Sequence, residues 1–202
     1  AQGATENCVA HNGSIISVPG RDLMVQAWYQ GGVSIMDFTD PARPTEIAYF
    51  DRGPLDAERL RIGGSWSAYW FNGRIYSSEI ARGLDVLNLI PGEQLSAAEI
   101  AAAEAVRVDE INPQTQTRIV WADTPDVATA YLDQLARAGR VDAALIAETR
   151  AVVDGWRRGR INRRGAQGAT ARLTAAADAQ NVNAVDARRL KALSDLLGRV
   201  AG

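Results

Sequence analysis

Short segments in which apolar and polar residues alternate fill the first ninety positions, and longer segments with apolar residues three and four apart fill the rest. The alternation predicts strands near 13–18 (GSIISV), 23–29 (LMVQAWY), 33–38 (VSIMDF) and 45–50 (TEIAYF). A second set follows near 66–71 (WSAYWF), 75–80 (IYSSEI) and 84–89 (LDVLNL). The breaks at Pro19-Gly20-Arg21-Asp22, Gly31-Gly32, Asp40-Pro41-Ala42-Arg43-Pro44 and Arg82-Gly83 carry turn chemistry. Asn72-Gly73 between two apolar runs is the strongest short-range hairpin signal.

Helical periodicity begins at Ser96-Ala97-Ala98-Glu99, a capping box in which hydroxyl and carboxylate satisfy reciprocal backbone amides. It predicts a helix over about 97–107, ending before Asn112-Pro113. Thr117–Trp121 reads as a short strand able to complete the second strand set. Thr124-Pro125 is an N-cap followed by proline at the first helical position, with Val127, Tyr131 and Leu135 as the apolar stripe and Gly139 as the stop. Further helices are expected over about 142–158, burying Leu145, Val152 and Trp156, and over about 184–199, burying Leu193 and Leu197. Short links between amphipathic helices argue for an antiparallel bundle or a hairpin array.

Composition changes where the period does. Residues 1–90 hold ten of thirteen aromatics and nine of thirty-five alanines, so strands and helices are segregated along the chain. The resulting fold class is α+β, with boundaries at 1–92 for the β region, 93–123 for a connecting helix and closing strand, and 124–202 for the helical C-terminal region. The net charge of −2 argues against a nucleic-acid coat protein, because counterion-release binding needs a dense basic surface. No apolar stretch is long enough to span a bilayer as a helix. Of 22 basic residues 21 are arginine, which together with the alanine content reads as codon composition rather than function. Cys8 is the only cysteine, so no internal disulfide forms.

The two strand sets align with each other. Gly32 followed by VSIMDF matches Gly83 followed by LDVLNL, and Met24-Val25 falls on Ile75-Tyr76, at an offset of 51 residues. A four-strand unit recurring at this spacing is the footprint of a β-propeller blade. A β-sandwich gives similar strand spacing but does not require the internal match. The chain therefore reads as antiparallel propeller blades, one full blade plus most of a second, followed by a C-terminal helical bundle. Because a closed propeller needs more blades, Ala1 is expected to be an internal position of a longer protein, with upstream blades of the same chain as partners. The alternative is a short two-sheet fold that buries its edges against the helices.

The segment Gly32-Val33-Ser34-Ile35-Met36-Asp37-Phe38-Thr39-Asp40-Pro41-Ala42-Arg43-Pro44 resembles the LVIVD repeat, whose units carry a glycine, an alternating aliphatic strand, an aspartate and a DPxxP turn. Gly83–Leu89 is a weaker copy, with Asn88 in place of the aspartate and no DPxxP turn. AHNGS (10–14), VPGRD (18–22), QAWYQGG (26–32) and EIARGLDV (79–86) are similar to the closing blades of exported bacterial LVIVD-repeat proteins, in which a helical tail follows the propeller. The similarity covers about residues 7–120. It implies a propeller fold and an extracellular or cell-envelope location, and implies little about chemistry.

Candidate binding residues at the channel mouth are His11, Asn12, Trp28, Tyr29, Trp66, Trp70, Glu79 and Arg82. His11-Asn12 precedes a strand expected to be innermost in its blade, and histidine alone titrates near neutrality when unperturbed. The aromatics offer stacking surfaces for sugars or protein partners, in competition with inter-blade packing. Glu79, Arg82 and Asp85 bring acid and base groups to a strand end, where an ion pair through Arg82 accounts for them most simply. Asp37 and Asp40 read as caps of the turn between them, since no calcium-loop spacing surrounds them. Arg157, Arg158, Arg160, Arg163 and Arg164 read as a solvated loop between helices, the competing role being contact with an anionic surface. No metal-site spacing, phosphate loop, dinucleotide fingerprint or nucleophile elbow occurs, and no cofactor is expected. The function these features predict is a non-catalytic exported or cell-surface binding or scaffold module, with a protein or carbohydrate ligand and no nucleic acid. The runner-up is a propeller enzyme or metal site at the channel mouth with His11 contributing, and a third reading is an adaptor docking through 125–200.

Overall fold

Alternation along the first ninety residues produces seven strands, and the hairpin at Asn72-Gly73 closes as its residues require. Both stand at positive φ (47° and 88°), so the two-residue turn matches the twist of the strands it joins. The computed structural model describes residues 3–115 and 117–202. Over these residues the chain is a mixed α+β protein that divides into two units: one runs to Leu95 and resumes at Ala103–Val120, the other comprises Ser96–Ala102 and Trp121–Gly202.

In the first unit β1 (Gly13–Ile16), β2 (Leu23–Ala27), β3 (Val33–Asp37) and β4 (Thr45–Phe50) form an antiparallel meander in chain order. β5 (Ser65–Phe71), β6 (Arg74–Glu79) and β7 (Gly83–Leu87) form a second one. β5 packs against β1 and β2, and isolated bridges join Asn12 to Ser67 in the parallel sense and Tyr29 to Ser65 in the antiparallel sense. Ile16, Leu23, Val25, Val33, Ala68, Trp70 and Ile75 are buried.

The second sheet has three strands. Residues 117–121 form no strand, although Thr117, Ile119 and Val120 favour extended backbone; strand propensity acts through neighbouring strands, and this segment joins neither sheet. The internal offset would place a fourth strand at 96–101, but the capping box there starts helix α1 (Ala97–Glu104) instead. Ser96 N–H donates to Glu99 Oε2 (2.7 Å) and Glu99 N–H to Ser96 Oγ (3.2 Å), as the sequence predicts. The helix stops at Glu104 rather than near residue 107. β7 is thus an edge strand, with Leu84 and Val86 exposed.

Charged residues lock the first sheet. Asp37 Oδ1 accepts from Thr39 N–H and Asp40 Oδ1 from Ala42 N–H, so both aspartates cap the turn as expected. Asp37 Oδ2 also takes the buried Arg21 guanidinium at 2.6 Å, and Arg21 Nη1 donates to the Gln94 carbonyl. Burial opposes the Asp37 carboxylate, but its hydrogen bonds from Thr39 and Arg21 outweigh that cost and hold its pKa below the ordinary value. A carboxylate whose folded pKa is lowered stabilises fully above its unfolded pKa of about 3.9, and that contribution disappears as pH falls through the folded value. Asp37→Asn is therefore expected to cost about 2 kcal/mol at neutral pH, the range for a hydrogen bond to a charged group. The gap from wild type should close below about pH 4. Urea titrations followed by tryptophan fluorescence at several pH values measure it; a gap independent of pH would remove the carboxylate from this role.

The second unit is a bundle of α2 (Pro125–Ala138), α3 (Ala143–Arg157), α4 (Arg163–Ala177) and α5 (Ala184–Ala201), with α2 and α4 each packed against both α3 and α5. Thr124, Asp142, Asn162 and Asn183 cap the N-termini through side-chain oxygens, and Gly139 closes α2 in the left-handed conformation. Val127, Leu132, Leu135, Val153, Leu173, Leu190, Leu193 and Leu197 share one core. Leu145 is buried as predicted, whereas Val152 and Trp156 are half-buried against that core.

α4 corrects the sequence reading, which placed Arg163 and Arg164 in a loop. Its buried stripe is Ala166, Ala169 and Leu173, too small for an apolar signal, and Gly165 and Gly168 suggest a break. The small residues instead let α5 approach closely. Ser194 Oγ donates to the Thr170 carbonyl (3.1 Å) and hydrogen-bonds with Thr174 Oγ1 (2.9 Å).

Candidate functional site

Of the eight residues singled out from the sequence, His11, Tyr29 and Trp66 come together as one ring cluster. It forms where β1 and β5 begin. His11 N–H donates to the Ala27 carbonyl (2.9 Å), and Gln26 Nε2 donates to the His11 carbonyl (2.6 Å), so β2 fixes the backbone ahead of β1. Tyr29 exchanges two backbone hydrogen bonds with Ser65 (3.0 and 2.8 Å), which sets Trp66 beside it. This approach requires glycine at position 64: its φ is +87°, and a Cβ there would lie 2.0 Å from the Tyr29 carbonyl carbon. Tyr29 itself has φ +53°, a conformation that costs a non-glycine residue about 1–3 kcal/mol and concentrates at functional sites.

The rings brace each other. The His11 and Trp66 centroids are 4.1 Å apart, His11 and Tyr29 5.3 Å, and Tyr29 and Trp66 5.7 Å, the last two pairs edge-to-face. Trp66 remains 46% exposed. An indole held in place by two other rings and open to water presents a flat π surface of fixed orientation, suited to the C–H face of a sugar or to an apolar side chain. Nδ1 of His11 and Nε1 of Trp28 are buried without a hydrogen-bond partner in the protein. Such groups are rare in folded proteins, and their concentration in this region marks it out.

Glu79 and Arg82 line a narrow crevice with Tyr29, Gln30, Arg52 and Asp85, of about 20 Å3, room for one water-sized group. Glu79 faces Ser65 across the β5–β6 ladder and is buried; Oε1 accepts from Gly64 N–H (2.6 Å), while Oε2 is buried with no partner. The expected ion pair through Arg82 is not formed. Arg52 takes that place, bonding Asp85 and lying over the Phe50 ring, whereas Arg82 is exposed and pairs with no carboxylate among the described residues.

Trp70 is excluded from any rim. It is 4% exposed, with its backbone N–H donating to Ser14 Oγ (2.8 Å), because it lies beyond the register shift at Ser65–Ser67 that separates its face of the strand from that of Trp66. Asn12 is exposed and serves the bridge to Ser67. Gln30 was not legible as a site residue: buried, it donates to Asn7 Oδ1 and the Arg61 carbonyl and accepts from Leu55 N–H, pinning the long loop before β5. A glutamine in a turn carries no signal that it will be enclosed.

A larger open cleft, about 670 Å3, lies between β3–β4 and β6–β7, lined by Ile35, Tyr49, Phe50, Ile75, Val86 and Leu89 among others. Its lining is mostly apolar, with Asn88, Glu93 and Gln94 as its polar side chains. Among the described residues no three His, Cys, Asp or Glu side chains converge as metal ligands, so His11 belongs to no such group. Cys8 is exposed and free. No helix among the described residues is long and apolar enough to cross a membrane. Comparison with protein-family models, with curated proteins and with solved structures finds no match to this chain.

Proposed function

We propose that the first unit is a pair of successive LVIVD-type propeller blades and that it acts as a non-catalytic glycan-binding module, exported or held at the cell envelope. Two meanders that touch through their first strands support the blade reading. β1 and β5 lie side by side, bridged at Asn12–Ser67 and tied by Ser14 to Trp70, as the inner strands of neighbouring blades do around a channel. The Gly32 φ of +78° and the Asp37 and Asp40 caps give the repeat-like residues structural roles, consistent with a repeat whose glycine and aspartates serve the fold.

The observation that carries the binding reading is Trp66, braced by His11 and Tyr29 yet nearly half exposed at the start of an inner strand. Exposure of a pre-oriented indole lowers the ordering cost of stacking on a sugar ring. Catalysis has less support, because no positioned acid–base pair accompanies His11.

Native gels cast with soluble xylan, hydroxyethylcellulose or glycol chitin test this. The full chain should be retarded by at least one polysaccharide, and Trp66→Ala should abolish the retardation while leaving the circular dichroism spectrum unchanged. The loss expected for one aromatic stacking contact is about 1–3 kcal/mol, or roughly ten- to a hundred-fold in affinity. Normal migration in all three gels, or retardation that survives Trp66→Ala, would reject a glycan site at this cluster.

A further inference from the structure

The α3–α4 connector gathers arginines that pair with no carboxylate among the described residues, whereas most other arginines of the helical unit do. Arg137 pairs with Glu99, Arg140 and Arg189 with Asp186, Arg150 with Asp133 and Arg199 with Asp123. Arg157, at the end of α3, likewise pairs with Asp126. Beyond it, Arg158, Arg160, Arg163 and Arg164 are all exposed, and none pairs with a carboxylate among the described residues. Two of them occupy the first turn of α4, which contains no acid. There the free backbone N–H groups already create a positive potential, so arginines add to it instead of cancelling it and cost the helix stability. A local rule broken without a local gain is a mark of function. Amid these charges Ile161 is 43% exposed.

We propose that residues 158–164 dock the protein on an anionic lipid bilayer, the four arginines against headgroup phosphates and Ile161 inserted at the boundary between headgroups and acyl chains. Interfacial binding of this kind combines buried apolar surface with attraction to anionic lipid, and the connector supplies both. A polynucleotide site of the stacking type would need an exposed ring, but the nearest, Trp156, packs against the bundle core. The connector also keeps a fixed shape: Gly159 turns the chain at φ +71°, Arg160 N–H donates to the Gly155 carbonyl (2.9 Å), and Asn162 caps α4. The charges are thus presented together without ordering a loose segment.

Co-sedimentation of the full chain with vesicles of phosphatidylcholine alone, or mixed with phosphatidylglycerol in equal parts, tests the proposal. Binding should require phosphatidylglycerol and weaken with added salt. Each arginine near an anionic surface contributes roughly five-fold, so replacing Arg158, Arg160, Arg163 and Arg164 by glutamine should lower affinity on the order of several hundred-fold. Ile161→Ser should lower it about ten-fold with an unchanged salt dependence, the signature of lost insertion. All variants should keep the wild-type helical signal, since the side chains are exposed. Equal binding to both vesicles, no binding to either, or a glutamine variant as tight as wild type overturns the proposal. Tighter capture of an oligothymidylate than of the mixed vesicles at matched phosphate concentration would also overturn it and assign the patch to nucleic acid.

Discussion

Replacing Leu193 by alanine lowers the stability of the helical unit by about 2–5 kcal/mol, the range measured for deleting a fully enclosed leucine. Leu193 is 0% exposed in a core built from α2, α3, α4 and α5. Its loss removes both the transfer free energy of its methyl groups and their contacts, and a bundle locked by close α4–α5 contact has little freedom to collapse into the gap. Lys191→Ala, two residues away on the exposed side of the same helix, should change stability by less than about 0.5 kcal/mol. Urea denaturation followed by helical ellipticity compares the two. Equal effects at positions 191 and 193 would mean that the Leu193 face is not packed.

Replacing Arg137 by methionine has the second-largest expected effect, about 3 kcal/mol. Glu99 is completely buried, and the Arg137 guanidinium lies 2.6 Å from its Oε2. Breaking a buried pair from one side costs about 3–5 kcal/mol because the remaining charge stays enclosed; the low end applies here since the Arg137 side chain is 27% exposed. The same carboxylate closes the Ser96 capping box. Adding Glu99→Gln to Arg137→Met should recover most of the loss, because glutamine still serves that box and carries no charge. A double variant no more stable than Arg137→Met would show that the cost comes from lost packing of the arginine stem rather than from a stranded carboxylate.

Candidate-site residues were legible to different degrees. His11, Tyr29 and Trp66 stood out as the residue types able to bind or stack, and their meeting follows from the Tyr29–Ser65 bridge between two sheets. Trp70 looked equivalent to Trp66, but it sits four residues further along the same strand beyond a register shift, where it is buried and its backbone N–H is tied to Ser14 of β1. The partner of Asp85 is Arg52, thirty-three residues away, not Arg82 three residues away. Sequence proximity favours the nearer arginine, and the loop before β5 decides for the distant one.

The sequence by itself determined the seven strands, the turn at Asn72-Gly73 and the starts of α1 and α2. Alternation, Asn72-Gly73, the Ser96–Glu99 box, Thr124-Pro125 and Gly139 act within a few residues, through backbone sterics and short hydrogen bonds, so the chain carries them wherever it folds. Tertiary structure decided what depends on distant neighbours. Thr117–Trp121 had the propensity for a strand but joins neither sheet. α4 had two glycines and an alanine stripe that only the α5 surface turns into a packed face. Trp66 and Trp70 had the same chemistry, yet one is open to water and the other buried across a register shift in the β5–β6 pairing. Burial and pairing are properties of contacts between segments far apart in the chain, and no short window of residues encodes them.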